Sequence, residues 1–184
     1  QENGLDHVNP QTRQEHPEDW KKKVELIAAI IRRHQPKYIF LPHANDWNQT
    51  HIGTHHLVMD ALKSTDDDIC ATLVETEYWG ALPDPNIVIE TSMQDTADLV
   101  TAVAYHRGEV ARNAFHTRLP ALMLDNVRRG GEIVGGQGAI VPSLEFATLY
   151  KISRWNHGTA ETITAAPFIC IADKLTQPIE SLLQ

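Results

Sequence analysis

Residues 36–62 read PKYIFLPHANDWNQTHIGTHHLVMDAL. The apolar run Tyr38-Ile39-Phe40-Leu41 stops at Pro42. A short apolar run rich in aromatic and β-branched residues predicts a buried strand, here over 37–41. A polar loop of candidate ligands follows, with His43, Asn45, Asp46 and Asn48. His51, His55 and His56 then open a predicted helix over about 51–64. Strand, polar loop and helix start, in that order, is where open α/β sheets bind ligands, outside the carboxyl ends of their strands.

Working outward, Pro17, Glu18 and Asp19 suit a helix start, where proline costs no hydrogen bond and acids meet the positive end of the dipole. Trp20, Val24, Ile27 and Ile31 form one apolar face at helical spacing, and Pro36 ends the helix predicted over 17–34. Residues 1–16 lack a hydrophobic period and read as an extended lead-in. Downstream, 69–79 and 86–90 read as strands. Ser92 is a candidate N-cap, with Asp95 as its capping-box acid, for a helix over about 93–112. Its apolar face runs through Leu99, Val103, His106 and Val110, so His106 is expected among core residues. A short helix over 120–129 should end at Gly130-Gly131, inside the glycine-rich stretch GGEIVGGQG, which reads as an irregular turn. It lacks the Gly-Lys-Ser/Thr of a phosphate loop and the spacing of a dinucleotide fingerprint. Strands over 146–152 and 167–171 and a last helix over 175–183 complete the pattern. Strand–helix alternation predicts an α/β domain with a largely parallel sheet, and 184 residues fit a single domain.

Composition narrows the function. With 16 basic and 24 acidic residues the net charge is −8, which offers no basic excess to neutralise phosphates. Nucleic acid is therefore not the expected partner. No apolar run reaches 18 residues, so no transmembrane helix is expected and no membrane partner. Cys70 and Cys170 each lie in apolar surroundings and read as buried reduced thiols, which fits the cytoplasm. Ten histidines are the one compositional oddity, in a chain otherwise typical of globular proteins.

Three constellations offer chemistry. On a helix, positions i and i+4 share a face, so His51 and His55 project together while His56 points roughly 100° away. Asp46 and Asn48 come from the loop just before them. These histidines either ligate a metal or simply cover a helix start, and the missing glutamate after the first histidine rules out a zincin motif. His106, in AYHRGE, is either an active-site imidazole or a satisfied core residue. His16-Pro17-Glu18-Asp19 looks like a metal motif, but no hydrophobic strand precedes it, and it reads as a helix start.

The stretch Asp46-Trp47-Asn48-Gln49-Thr50-His51, following a strand that ends in proline, resembles the second motif block of the LmbE/PIG-L deacetylases, the N-acetylglucosaminyl-deacetylase-like family. That block is Asp-x-His-Pro-Asp-His, and its last histidine ligates zinc, which implies the role for His51. His55 is the alternative ligand if the register shifts by one turn. Asn48 stands where the family has a histidine near the substrate, and Thr50 where it has an aspartate. Ala104-Tyr105-His106-Arg107-Gly108-Glu109 resembles the family's Ala-x-His-x-Ser-Gln, which implies an active-site role for His106.

The segments ETEYWG and LMLDNVRRGGEIVGGQG resemble a subgroup of the same family. The resemblance covers roughly residues 17–155. It implies a Rossmann-like fold, a zinc cofactor, hydrolysis of an N-acetylated sugar or conjugate, and a homo-oligomer. The family's opening Ala-His-Pro-Asp-Asp-Glu has no counterpart, so the expectation is a domain lacking its first strands, weak in zinc binding and inactive by itself. The rival expectation is a sugar- or metabolite-binding module without metal chemistry, favoured by Asn48, Thr50 and Gly108-Glu109.

Overall fold

The computed structural model describes residues 5–65, 69–163 and 168–171. They form a mixed α/β structure that divides into two compact units, residues 1–83 with 150–163, and residues 84–149 with 164–184.

The first unit opens with α1 (Pro10–Glu15) and α2 (Pro17–His34). Residues 10–15 are thus helical rather than an extended lead-in. Asn9 caps α1 by accepting from the Thr12 N–H, and Pro10 follows at the first helical position. That pairing satisfies one otherwise orphaned donor and spends no hydrogen bond on the proline. Helix α2 has the predicted bounds. Its buried face carries Trp20, Val24, Ala28 and Ile31, and Gln35 closes it in the left-handed region.

Strand β1 (Tyr38–Pro42) leads into α3 (Gln49–Lys63), and β2 (Ala71–Thr76) follows. Strands β1 and β2 are parallel, in a register that sets Pro42 beside Thr76. The loops leaving both strands therefore start at the same level. The buried side of this unit gathers Trp20, Val24, Ile31, Leu41, Leu57, Leu62, Leu73 and Trp155. Full burial of side chains of this size stabilises by roughly 1.5–3 kcal/mol each.

Two contacts fix α3 against the N-terminal helices. The Asp60 carboxylate accepts from Arg13 Nε and Nη2 at 2.7 and 2.9 Å and from Trp20 Nε1 at 2.9 Å. Gly53 lies against the Asn9 backbone so closely that a Cβ would come within 2.5 Å of the Asn9 Cα. Only glycine permits that approach.

The second unit contains β3 (Ile87–Thr91), α4 (Met93–Ala104), α5 (Arg107–Arg112) and α6 (Phe115–Ile133). Ser92 and Asp95 form the expected capping box at the start of α4. The helix predicted over 93–112 is broken, however. It ends at Ala104, and His106 becomes the exposed residue that precedes α5. Leu99 is also exposed. The inferred apolar face does not continue through this break, and His106 is not a core residue. Helix α6 runs past both of its predicted ends. Pro120 lies inside it, and Gly130-Gly131 are helical rather than terminal. Gly130 is there for packing, since a Cβ would meet Val88 Cγ2 at 2.8 Å.

Strand β4 (Phe146–Asn156) contributes its first four residues to the second unit and the rest to the first. In the first unit it pairs antiparallel with β2 and with β5 (Thr159–Thr162). In the second, β3 pairs parallel with β6 (Phe168–Ile169). The pairings are mixed, two parallel and two antiparallel among those described, not largely parallel. The helix expected over 175–183 lies outside the described residues. Cys70 is exposed and Cys170 half-buried, so neither is the buried thiol expected from its neighbours.

Candidate functional site

The site is built where β1 and β2 end, within the first unit. Asp46 is its anchor. Its side chain is fully buried, yet both carboxylate oxygens are satisfied. Oδ1 accepts from the Asn48 N–H at 2.8 Å and from His51 Nδ1 at 3.1 Å. Oδ2 accepts from the Trp79 and Gly80 N–H groups at 3.0 and 3.2 Å. A carboxylate offers about four acceptor positions, and all are used here. Burial alone would raise the Asp46 carboxyl, but the backbone donors of Asn48, Gly80 and Trp79, with His51 nearby, hold it below the ordinary aspartate value. Asp46 thus clasps the loop after β1 to the turn after β2. Gly80 makes the approach possible, because a Cβ there would lie 3.0 Å from the Asp46 Cα.

Asn48 is committed as well. It caps α3, its Oδ1 accepting from the Thr50 N–H at 2.8 Å. An N-cap of this kind contributes about 1 kcal/mol. The same cap sets the phase of α3, and with it the direction of His51 and His55.

Both of these histidines have their tautomer fixed. His51 Nδ1 faces the ionised Asp46, so that nitrogen carries the proton and the lone pair is left on Nε2. His55 Nδ1 donates to the Pro42 carbonyl at 3.0 Å, which again leaves the lone pair on Nε2. Glu75 Oε2 stands 3.6 Å from the same His55 nitrogen. Burial lowers the His55 pKa below the ordinary histidine value, against the opposing pull of the Pro42 carbonyl. The neutral ring is the form that ligates metals. Metal-bound histidines commonly donate their second nitrogen to a carboxylate or a backbone carbonyl. His51 shows the first arrangement and His55 the second.

His43 stands behind this pair. It is 1% exposed, and its Nε2 donates to the Gly80 carbonyl at 2.9 Å. Its Nδ1 is buried and has no hydrogen-bond partner. His56 instead lines a shallow groove with Arg13, Gln14 and Trp20.

Within this unit the structure brings together Asp46, Asn48, His51 and His55. His106 belongs to the second unit, at the exposed break between α4 and α5. Zinc would find the right donor type and tautomer in His51 and His55. Among the described residues, no group of three or more His, Cys, Asp or Glu side chains is arranged to hold a metal ion.

The resemblance singled out ETEYWG, residues 75–80, without giving its residues a role; the turn Tyr78-Trp79-Gly80 within it supplies two donors to Asp46 and an aromatic neighbour to His51. The ring centroids of His51 and Tyr78 are 5.0 Å apart. The available signal was positional, since this turn leaves the strand that pairs with β1. No protein-family model, curated protein or solved structure matches the chain.

Proposed function

We propose that the chain is an LmbE/PIG-L-like, zinc-dependent N-deacetylase with a Rossmann-like sheet, acting in the cytoplasm on an N-acetylated amino sugar or conjugate. The observation that carries this reading is the paired tautomer lock. Two histidines one helical turn apart each donate through Nδ1 to a fixed acceptor and keep Nε2 as the free donor atom. The motif resemblance of residues 46–51 supports the same assignment.

In this reading His51 and His55 hold the zinc. When bound, zinc lowers the pKa of a coordinated water and polarises the amide carbonyl. The residues of the chain supply the rest. Asp46 acts as the orienting carboxylate of His51, because its oxygens are already filled. The Pro42 carbonyl does the same for His55. Asn48 fixes the helix start that presents them. Catalytic zinc sites take three protein ligands, and two histidines are one short. The 184 residues by themselves therefore bind zinc weakly and turn over little substrate.

The test is zinc titration of the purified chain with metal analysis, alongside release of acetate from N-acetylglucosamine. Weak zinc binding that disappears in His51→Ala and falls in His55→Ala supports the proposal. Zinc binding unchanged by both substitutions overturns it. A second reading, a sugar-binding module without metal chemistry, is favoured by the saturation of Asp46. That saturation leaves the loop without a carboxylate able to take a proton from water. Sugar binding with no zinc binding at all would select this second reading.

A further inference from the structure

Three large aromatic side chains are carried by the two loops that Asp46 ties together, and all three stay exposed. Trp47 is 76% exposed, Tyr78 59% and Trp79 43%. Isolated exposed aromatics are common, but these are neighbours on two clasped loops. The Trp79 and Gly80 N–H groups are tied to Asp46, the residue next to Trp47. The Trp47 ring edge lies against Gly80, where an added Cβ would approach its Cδ1 to 3.2 Å. Tyr78 is tilted against the His51 ring at 53°. The loops that carry the rings are thus pinned by a buried carboxylate, while the three residues stay exposed. Pinned loops lose little conformational freedom on binding, and binding sites commonly place aromatic faces around a few fixed polar groups.

We infer that Trp47, Tyr78 and Trp79 form a stacking rim for the apolar face of a pyranose ring, beside His51. This rests on the deacetylase reading and names the part of the site that selects its substrate. A pyranose with equatorial hydroxyls presents a flat face of C–H bonds that covers an aromatic ring, while its hydroxyls point outward to polar partners. Polar groups stand next to the rim in His51 and Asn48. The rim selects a ring over an open-chain amide with the same acetyl group, and it needs no metal to do so.

The experiment reads tryptophan emission of the metal-stripped chain, in the presence of a chelator. Trp20 and Trp155 are buried at 5% and 2%, so Trp47 and Trp79 dominate any response to an added ligand. Methyl N-acetyl-β-glucosaminide should give saturable binding. N-acetylethanolamine, the open-chain probe, should bind at least tenfold more weakly. Trp47→Ala and Tyr78→Ala should each weaken binding of the glycoside at least tenfold, with amide chemical shifts of the glycoside reporting the Tyr78→Ala case independently of fluorescence. A folded far-ultraviolet dichroism spectrum for both variants excludes unfolding as the cause. Equal binding of ring and open-chain probes, absence of saturable glycoside binding, or unchanged binding in both variants overturns the rim. Zinc affinity of the unsubstituted chain, measured separately, reports on the deacetylase reading and does not depend on these results.

Discussion

The motif resemblance points to two histidines, His51 and His106, and the molecule treats them in opposite ways. His51 is carried by a capped helix, its ring held by a buried carboxylate that is itself held by three backbone donors. His106 follows the last turn of α4, precedes α5 without a side-chain cap bond, and is exposed. Preorganisation is expensive in buried polar groups, and the first unit accepts that cost around His51. A residue that matches a motif is therefore only half of a site. The other half is the set of neighbours that leave it one orientation and one tautomer, which His51 and His55 have and His106 lacks.

The comparison breaks first at Asp46. Asp46→Ala strands the Trp79 and Gly80 donors together with His51, and should destabilise the fold by roughly 3 kcal/mol in chemical denaturation. A loss below about 1 kcal/mol would mean that the clasp is not what orders the loops.

Acidification should act next, and with a smaller effect. The folded-state pKa of His55 is lowered, so the neutral ring is favoured by folding. Its contribution is complete above the unfolded histidine value and is lost as pH falls through the lowered folded value. The melting temperature of the chain should therefore drop as pH falls below about 6.5, and His55→Gln should flatten that limb. Asp46 adds a second limb at lower pH, since its contribution is lost only as pH falls through its own depressed value. A melting temperature that rises on acidification from pH 7 to pH 5.5 would contradict the assignment.

The smallest effect belongs to His106→Ala, which should change stability by less than about 0.5 kcal/mol, as exposed positions do. A loss of more than about 1.5 kcal/mol would show a structural role for this imidazole and narrow the contrast with His51.

Much of the first unit was legible because local chemistry and tertiary packing agree there. Helix α2 has its proline, its acids, its apolar face and its stop in the order that sequence rules require. The strand and helix around residues 36–62 also fall where their patterns place them. Elsewhere a strong local signal meant something else. Gly130 looked like a helix end and is a point of close contact with Val88. Pro120 looked like a helix start and lies inside α6. Leu99, Val103, His106 and Val110 kept helical spacing across a segment where the helix breaks, so periodicity alone placed His106 on a face that does not exist. Cys70 has apolar neighbours in sequence but is exposed just before β2 begins.

In the site, the run of polar side chains after β1 was readable, but the roles of Asp46 and Asn48 were not. Those roles depend on the Trp79 and Gly80 N–H groups and on the helix cap, which only the strand register brings into place. The antiparallel placement of β4 beside β2 was equally hidden, since nothing in a strand's own residues states the direction of its neighbour.

The contact between Gly53 and the backbone of Asn9 has a consequence for how the site matures. The helix that presents both histidines rests on the segment around Asn9, and Arg13 reaches Asp60 across 47 positions of sequence. Until that long loop closes, α3 has one flank in water and its imidazoles have no settled aim. The aim of the two imidazoles is thereby settled only after the ends of this segment have met.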